Sequence, residues 1–152
     1  MKKVRVFAPA SIANMGCGFD IIGLALDDVG DIIEIVQSEG DGLTITNKSG
    51  VPLPDDIEKN VITPVIRKFL EMIGQKAQID VTVCEKIYPG SGIGSSASSS
   101  AAAAYGMNEL YGCPLTEEEV VLCAMEGENL ASFLGRYHDA GMDHCAVEVT
   151  GH

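Results

Sequence analysis

Alternating apolar and polar positions predict four short strands along this chain. The first covers residues 3–8. Two more, at 31–36 and 43–46, flank the glycine-rich stretch 39–42, and this arrangement predicts a β-hairpin. The strict alternation over residues 78–84 predicts a fourth strand that turns one face toward the core.

The remaining apolar positions recur at helical spacing and predict three helices. From Asn60 onward they fall on one helix face, with Asn60 or Thr63 as the N-cap and Gly74 as the end. A run of small residues predicts a second helix over residues 95–110. A capping-box sequence opens the third helix at Thr116. The order of the elements indicates an α+β domain with helices on one face of a largely antiparallel sheet.

Between the fourth strand and the second helix lies the sequence PGSGIGSSA, residues 89–97. Alternating glycines permit positive φ angles and a close approach to a ligand, and the N-terminus of a helix favours a phosphate. A flexible linker has a similar composition, but it requires neither the apolar Ile93 nor the polyalanine that follows. We interpret the stretch as a phosphate loop in which backbone N–H groups and the hydroxyls of Ser95 and Ser96 hold phosphate and magnesium.

This loop matches neither of two common phosphate-binding motifs. It lacks the Gly-Lys-Ser/Thr of a P-loop, and it has no glycine at the sixth position of a dinucleotide-binding fingerprint. Magnesium prefers hard oxygen ligands, which Glu126 and Glu128 in the third helix can supply. The alternative is that both carboxylates belong to a solvated helix face.

A polar segment, residues 10–20, follows the first strand, which Pro9 is expected to end. It carries one amide, Asn14, and one carboxylate, Asp20. These groups could bind an amine or a hydroxyl of a ligand. They could equally stabilise turns through their own side chains, so both interpretations stay open.

Charge and composition restrict the classes of partner that this chain is expected to bind. The net charge of −12 argues against nucleic acid or an anionic membrane as a partner, although a small phosphorylated ligand remains compatible with it. No apolar run approaches the length of a membrane span, and the five cysteines form no CxxC pair. These features predict a cytoplasmic protein with reduced thiols.

Residues 89–97 resemble the phosphate-binding motif of the GHMP kinase superfamily. Residues 8–20, APASIANMGCGFD, resemble the start of the homoserine kinases within that superfamily. The resemblance covers residues 3 to about 132. It implies the α+β fold of a GHMP-kinase N-terminal domain (ribosomal protein S5 domain 2-like), with a mixed, mostly antiparallel sheet. It also implies transfer of the γ-phosphoryl group of ATP to the hydroxyl of L-homoserine, a step of threonine biosynthesis.

The resemblance assigns roles to particular residues. Asn14, Asp20 and His138 are implied in substrate binding, with Asp20 suited to the ammonium group. Ser96 and Glu128 are implied as catalytic residues and magnesium ligands, with Glu126 as the fallback. ATP is implied to contact Asn60, Val61, Pro89, Gly90, Ser91, Gly92, Ile93, Gly94, Ser95, Ser96, Ala97, Ser98 and Ser99.

The resemblance ends abruptly after residue 132. We expect an N-terminal ATP-binding domain at 1–132, a divergent or truncated tail at 133–152, and no C-terminal GHMP domain. Truncation predicts a weakly active or inactive chain, which self-associates through the surface that the second domain would cover. The alternatives are another GHMP kinase, of the mevalonate or sugar type, and a non-catalytic nucleotide-binding module.

Overall fold

The computed structural model describes residues 2–13, 15–18 and 21–135. Within them, one sheet contains β1 (Lys2–Ala13), β2 (Gly23–Ser38), β3 (Gly42–Asn47) and β4 (Gln78–Glu85). The α-helices are α1 (Ile62–Met72), α2 (Ser95–Leu110) and α3 (Glu117–Gly135), and short 3-10 turns lie at Gly16–Gly18 and Ile57–Lys59. The predicted strands and helices are all present, and the α+β fold class is confirmed.

The sheet has the strand order β1-β2-β4-β3, so the predicted hairpin between β2 and β3 is wrong. Strand β4 lies between them, antiparallel to β2 and parallel to β3. Burial explains this order, because Ile79, Val81 and Val83 of β4 are almost completely buried whereas β3 has no buried residue. The more apolar strand takes the interior of the sheet, and the short β3 is left at its edge.

The two strands of the β1–β2 ribbon are longer than the alternation predicts. β1 does not end at Pro9 but continues past it, with an irregular register between Pro9 and Ser11. Proline is tolerated there because β1 is an edge strand. β2 begins at Gly23 rather than at residue 31. The extended ribbon brings the N–H of Ser11 to the carbonyl oxygen of Ile93 at 3.0 Å, so that it supports the glycine-rich loop.

The helices pack on one face of the sheet, as predicted, with α2 directly against β1 and β2. The alanines of α2 at 102–104 are fully buried, and a Cβ on Gly106 would lie 2.7 Å from Ile35 and 2.9 Å from Val6. Small side chains therefore allow α2 to approach the sheet closely. The core combines this helix with side chains from the strands and α1, among them Val6, Ile33, Ile35, Ile66, Phe69, Ile79, Val81 and Val83.

The helix ends follow the predicted capping chemistry. Thr116 and Glu119 form a reciprocal capping box, with N···O distances of 2.8 and 3.3 Å between the backbone N–H of each residue and the other's side chain. At α1 the structure assigns the cap position to Val61, yet the side chain of Asn60 accepts the hydrogen bond from Ile62 N–H at 3.1 Å. Across the described ranges, no helix is long and apolar enough to cross a membrane.

Candidate functional site

The end of β4, the glycine-rich loop and the first turn of α2 form one wall of a cavity of about 260 Å³. The segment before α1 lines the same cavity. Residues that the sequence places far apart meet here, since Asn60 and Val61 line the cavity together with the loop. The predicted site residues that line it are Asn60, Val61, Pro89, Gly90, Gly92, Gly94, Ser95, Ser96 and Ser99.

The loop backbone has the conformation that its glycines permit. Gly90, Gly92 and Gly94 have φ angles of +78°, +74° and +73°, in the region where other residues are strained. A Cβ on Gly90 or Gly92 would meet nothing within 4 Å, so the tip of the loop is open. Gly94 occupies the N-cap of α2 and supplies no side chain to the first turn. The loop and the helix N-terminus together present backbone N–H groups to an anion.

Three hydroxyls of the serine run donate hydrogen bonds within the protein. Ser95 donates to the carbonyl oxygen of Ile87 at 3.0 Å, and Ser98 donates to that of Ala8 at 2.7 Å. Ser99 donates to the carboxylate of Asp31. These three hydroxyls attach α2 to the structure beneath it. The Ser95 hydroxyl thus donates to Ile87 and accepts from the Lys86 ammonium, and its role in holding phosphate stays a prediction.

Ser96 is directed toward α3, where its hydroxyl lies beside the carboxylate of Glu128. Burial raises the pKa of Glu128, and the hydroxyls of Ser96 and Ser100 partly oppose that shift. The Oε1 atom of Glu128 and the hydroxyl oxygen of Ser100 are buried, and neither has a hydrogen-bond partner among the described residues. Glu126 lines a separate surface groove together with Arg67. Glu128 is therefore the carboxylate of α3 that lies beside Ser96 in the first turn of α2, although it does not line the cavity.

A buried ion pair at the base of the loop is absent from the sequence predictions. The Lys86 ammonium lies 3.1 Å from a carboxylate oxygen of Asp31, and both side chains are almost completely buried. Burial lowers the pKa of Lys86, and the negative charge of Asp31 opposes that shift. These residues are 55 positions apart (86 − 31), with Asp31 inside β2 and Lys86 directly after β4. No local pattern marks either one as part of the site.

The predicted substrate residues Asn14, Asp20 and His138 lie outside the described residues, as does the tail from 136 onward. Ser11 and Ala13, which end β1, line the same cavity as the phosphate loop. The part of the chain that the structure describes contains no cluster of three His, Cys, Asp or Glu side chains suited to a metal. Cys17, in the turn Gly16–Gly18, is exposed.

Comparison with known proteins places this fold and loop in one family. The family model described as "GHMP kinases N terminal domain" matches residues 60–151. The chain belongs to this family.

Similar proteins are homoserine kinases. That of Methanococcus vannielii is 37% identical over 134 residues, and that of Natronomonas pharaonis is 40% identical over 148 residues. These matches cover 87% and 97% of this chain but only 44% and 47% of the relatives. The crystal structure of homoserine kinase from Cytophaga hutchinsonii superposes with a TM-score of 0.81 at 39% identity, covering 88% of this chain and 43% of that one. The chain thus spans somewhat less than half the length of these relatives.

Proposed function

We propose that this chain is the ATP-binding part of a kinase that phosphorylates the side-chain hydroxyl of L-homoserine. The observation that carries the nucleotide half of the proposal is the glycine loop, with three left-handed glycines leading into the N-terminus of α2. The identity of 37–40% to homoserine kinases supports the acceptor. The product would be O-phosphohomoserine, and the pathway threonine biosynthesis in the cytoplasm.

The geometry of the cavity supports a bound ATP with its phosphates on the loop. Backbone N–H groups between Pro89 and Ser99 would cradle the phosphate oxygens, because the helix dipole and the open loop tip favour negative charge there. Asn60 and Val61, which line the same cavity, would lie on the adenine side. Phosphoryl transfer depends mainly on such positioning and on electrostatic stabilisation.

The side chains beside the loop fit a magnesium ion. Ser96 and Glu128 supply two hard oxygen ligands, and the buried Oε1 of Glu128 has no other partner among the described residues. An unpaired buried carboxylate oxygen is costly, and a cation would offset that cost. When bound, Mg²⁺ would neutralise part of the negative charge of the phosphates. The described residues that line the cavity include no carboxylate and no histidine, so no side-chain base faces the loop from this half of the site.

Recognition of the amino-acid acceptor is proposed for Asn14 and Asp20, with His138 as a further contact. Ala13 precedes Asn14 directly and lines the cavity, which favours an acceptor site at this end of β1. A carboxylate at position 20 suits the ammonium group of homoserine.

A second candidate is a nucleotide-binding module without catalysis. The lining of the cavity favours it, because the described residues there include no carboxylate and no histidine. We expect the 152-residue chain to bind ATP and to turn over slowly or not at all.

The test is calorimetric titration with ATP, with and without Mg²⁺, followed by a phosphoryl-transfer assay on homoserine, mevalonate and galactose. We expect Mg²⁺-dependent ATP binding, and any transfer should favour homoserine. Glu128→Gln should abolish the effect of Mg²⁺, whereas the matched variant Glu126→Gln on the same helix should preserve it. Absence of ATP binding would refute the nucleotide site, and transfer to mevalonate or galactose instead would refute the acceptor.

A further inference from the structure

The ion pair of Asp31 and Lys86 closes the base of the phosphate loop. Lys86 directly follows β4 at one end of the loop, and Ser95 begins α2 at the other. The Lys86 ammonium donates to the carbonyl oxygen of Ser95 at 3.0 Å and to its hydroxyl oxygen. Residues nine positions apart are thereby joined, and the loop between them is closed.

Asp31 fixes this contact to the sheet and to the helix. One carboxylate oxygen accepts the N–H of Ile87 at 2.8 Å, and the other accepts the hydroxyl of Ser99 and the ammonium of Lys86. The carboxylate of Asp31, on β2, therefore joins the loop and α2 to the sheet. Its relative exposure is 0%, so water does not compete for these bonds.

Lys86 lines the cavity, but its ammonium has no hydrogen left for a ligand. An ammonium group has three donors, and here its acceptors are Asp31 and the two oxygens of Ser95. Lys86 consequently has no hydrogen bond to donate to a bound phosphate, and its contact with the phosphate site is through the backbone that it holds. This distinguishes it from a lysine that extends its charge to the ligand.

Stability alone is a weak reason for such a pair. Removing two charges from water is expensive, and apolar replacements of buried ion pairs are often neutral or stabilising. The loop, by contrast, needs support at its ends, because a side chain at Gly90 or Gly92 would meet no neighbour. Ser11 supports the loop at Ile93, and the ion pair supports its base.

We propose that Asp31 and Lys86 are positioning residues, which hold the phosphate loop in its anion-binding conformation before ATP arrives. The proposal rests on the proposed function of the loop as the ATP phosphate site. Because the loop would already be ordered before binding, less conformational entropy of its backbone would be lost when ATP binds.

The test is the double variant Asp31→Asn/Lys86→Met, in which neither partner is left as an uncompensated charge. The matched control is Lys68→Met/Glu71→Gln, which removes the ion pair of 3.2 Å on the exposed surface of α1. Circular dichroism checks the fold of both. Hydrogen exchange without nucleotide measures the order of residues 87–96, and competition assays give the affinities for ATP and adenosine.

We expect faster exchange of the loop amides and an ATP affinity about tenfold weaker, with adenosine affinity unchanged, in the Asp31/Lys86 variant only. Unchanged exchange of the loop would overturn the proposal, as would unchanged ATP affinity. An equal loss for adenosine would show a general structural defect and would also count against it. If the unaltered chain fails to bind ATP, the proposed function fails, and the exchange data still decide whether the ion pair orders the loop.

Discussion

Gly127 brings α3 close enough to α2 for Glu128 to lie beside Ser96, so Gly127→Ala should damage the proposed magnesium site. A Cβ at this position would overlap the hydroxyl oxygen of Ser100. It would also lie 2.9 Å from the Ser100 Cβ and 2.8 Å from the carbonyl oxygen of Val61. The hydroxyl could rotate away, but the Val61 carbonyl belongs to the backbone and cannot. We therefore expect α3 to move away from α2 and to carry Glu128 with it.

The size of the effect follows from these contacts. Carbon atoms pack at roughly 3.5–4.0 Å, so relief of the Ser100 contact requires a shift of about 0.6 Å or more. Overpacking of this kind costs about 1–3 kcal/mol, while replacing a helical glycine by alanine recovers about 1 kcal/mol. The net loss of about 1 kcal/mol should lower the melting temperature by roughly 2–4 °C. Displacement of Glu128, the proposed magnesium ligand, should affect ATP binding more strongly than stability.

Thermal unfolding and ATP titration with and without Mg²⁺ measure the two effects separately. Gly106→Ala is the matched control, since its Cβ also lacks space, at 2.7 Å from Ile35. Gly106 lies about 16 Å along α2 from Ser95. Both variants should lose stability, but only Gly127→Ala should lose the increase in ATP affinity that Mg²⁺ provides. Retention of that increase in Gly127→Ala would refute the reasoning.

Three further predictions concern stability, thiol chemistry and association. Asn108→Ala should lower the free energy of unfolding by about 1–2 kcal/mol, because the Asn108 side chain hydrogen-bonds to both the N–H and the carbonyl of Leu115, at 3.0 and 3.2 Å. Urea denaturation measures this loss, and an unchanged midpoint would contradict the prediction. Burial raises the pKa of the Cys123 thiol to about 11. A thiol reagent at pH 8 should therefore modify the exposed Cys17 and Cys113 before Cys123. Modification of Cys123 in the native state would refute its burial. The β1–β2 ribbon exposes large apolar side chains, which favour self-association. Light scattering should therefore give a mass above that of the 16.0 kDa monomer. A purely monomeric sample would contradict this prediction.

The local elements of this fold were predictable, but the sheet order was not. Alternation, helical periodicity and the capping box at Thr116 are local signals, and each one gave the correct kind of element. The turn at 39–42 also reads locally as a hairpin. The pairing of β4 with both β2 and β3 depends on which strand buries more apolar surface, and that is a property of the assembled core.

The candidate site likewise has one part that the sequence predicts and another that it does not. The glycines at 90, 92 and 94 indicated a loop with left-handed backbone conformations, because few other residues adopt positive φ angles readily. Lys86 and Asp31 gave no such signal. A lysine after a strand and an aspartate within one are ordinary surface residues in sequence, and only the tertiary fold buries them together. Long-range electrostatic partners of this kind have no local pattern.

The serine run of α2 shows how one compositional feature serves two structural purposes. Helical geometry places residues three and four apart on the same face, so Ser95, Ser98 and Ser99 share a face that bonds to the structure beneath α2. Ser96 and Ser100, four apart, share the face toward Glu128 on α3. A low-complexity segment would show no such division. The small hydroxyl side chains allow α2 to approach both neighbours closely while bonding to the sheet side. On the other face the buried Oε1 of Glu128 stays unpartnered among the described residues, and this is the oxygen that the proposed cation would satisfy.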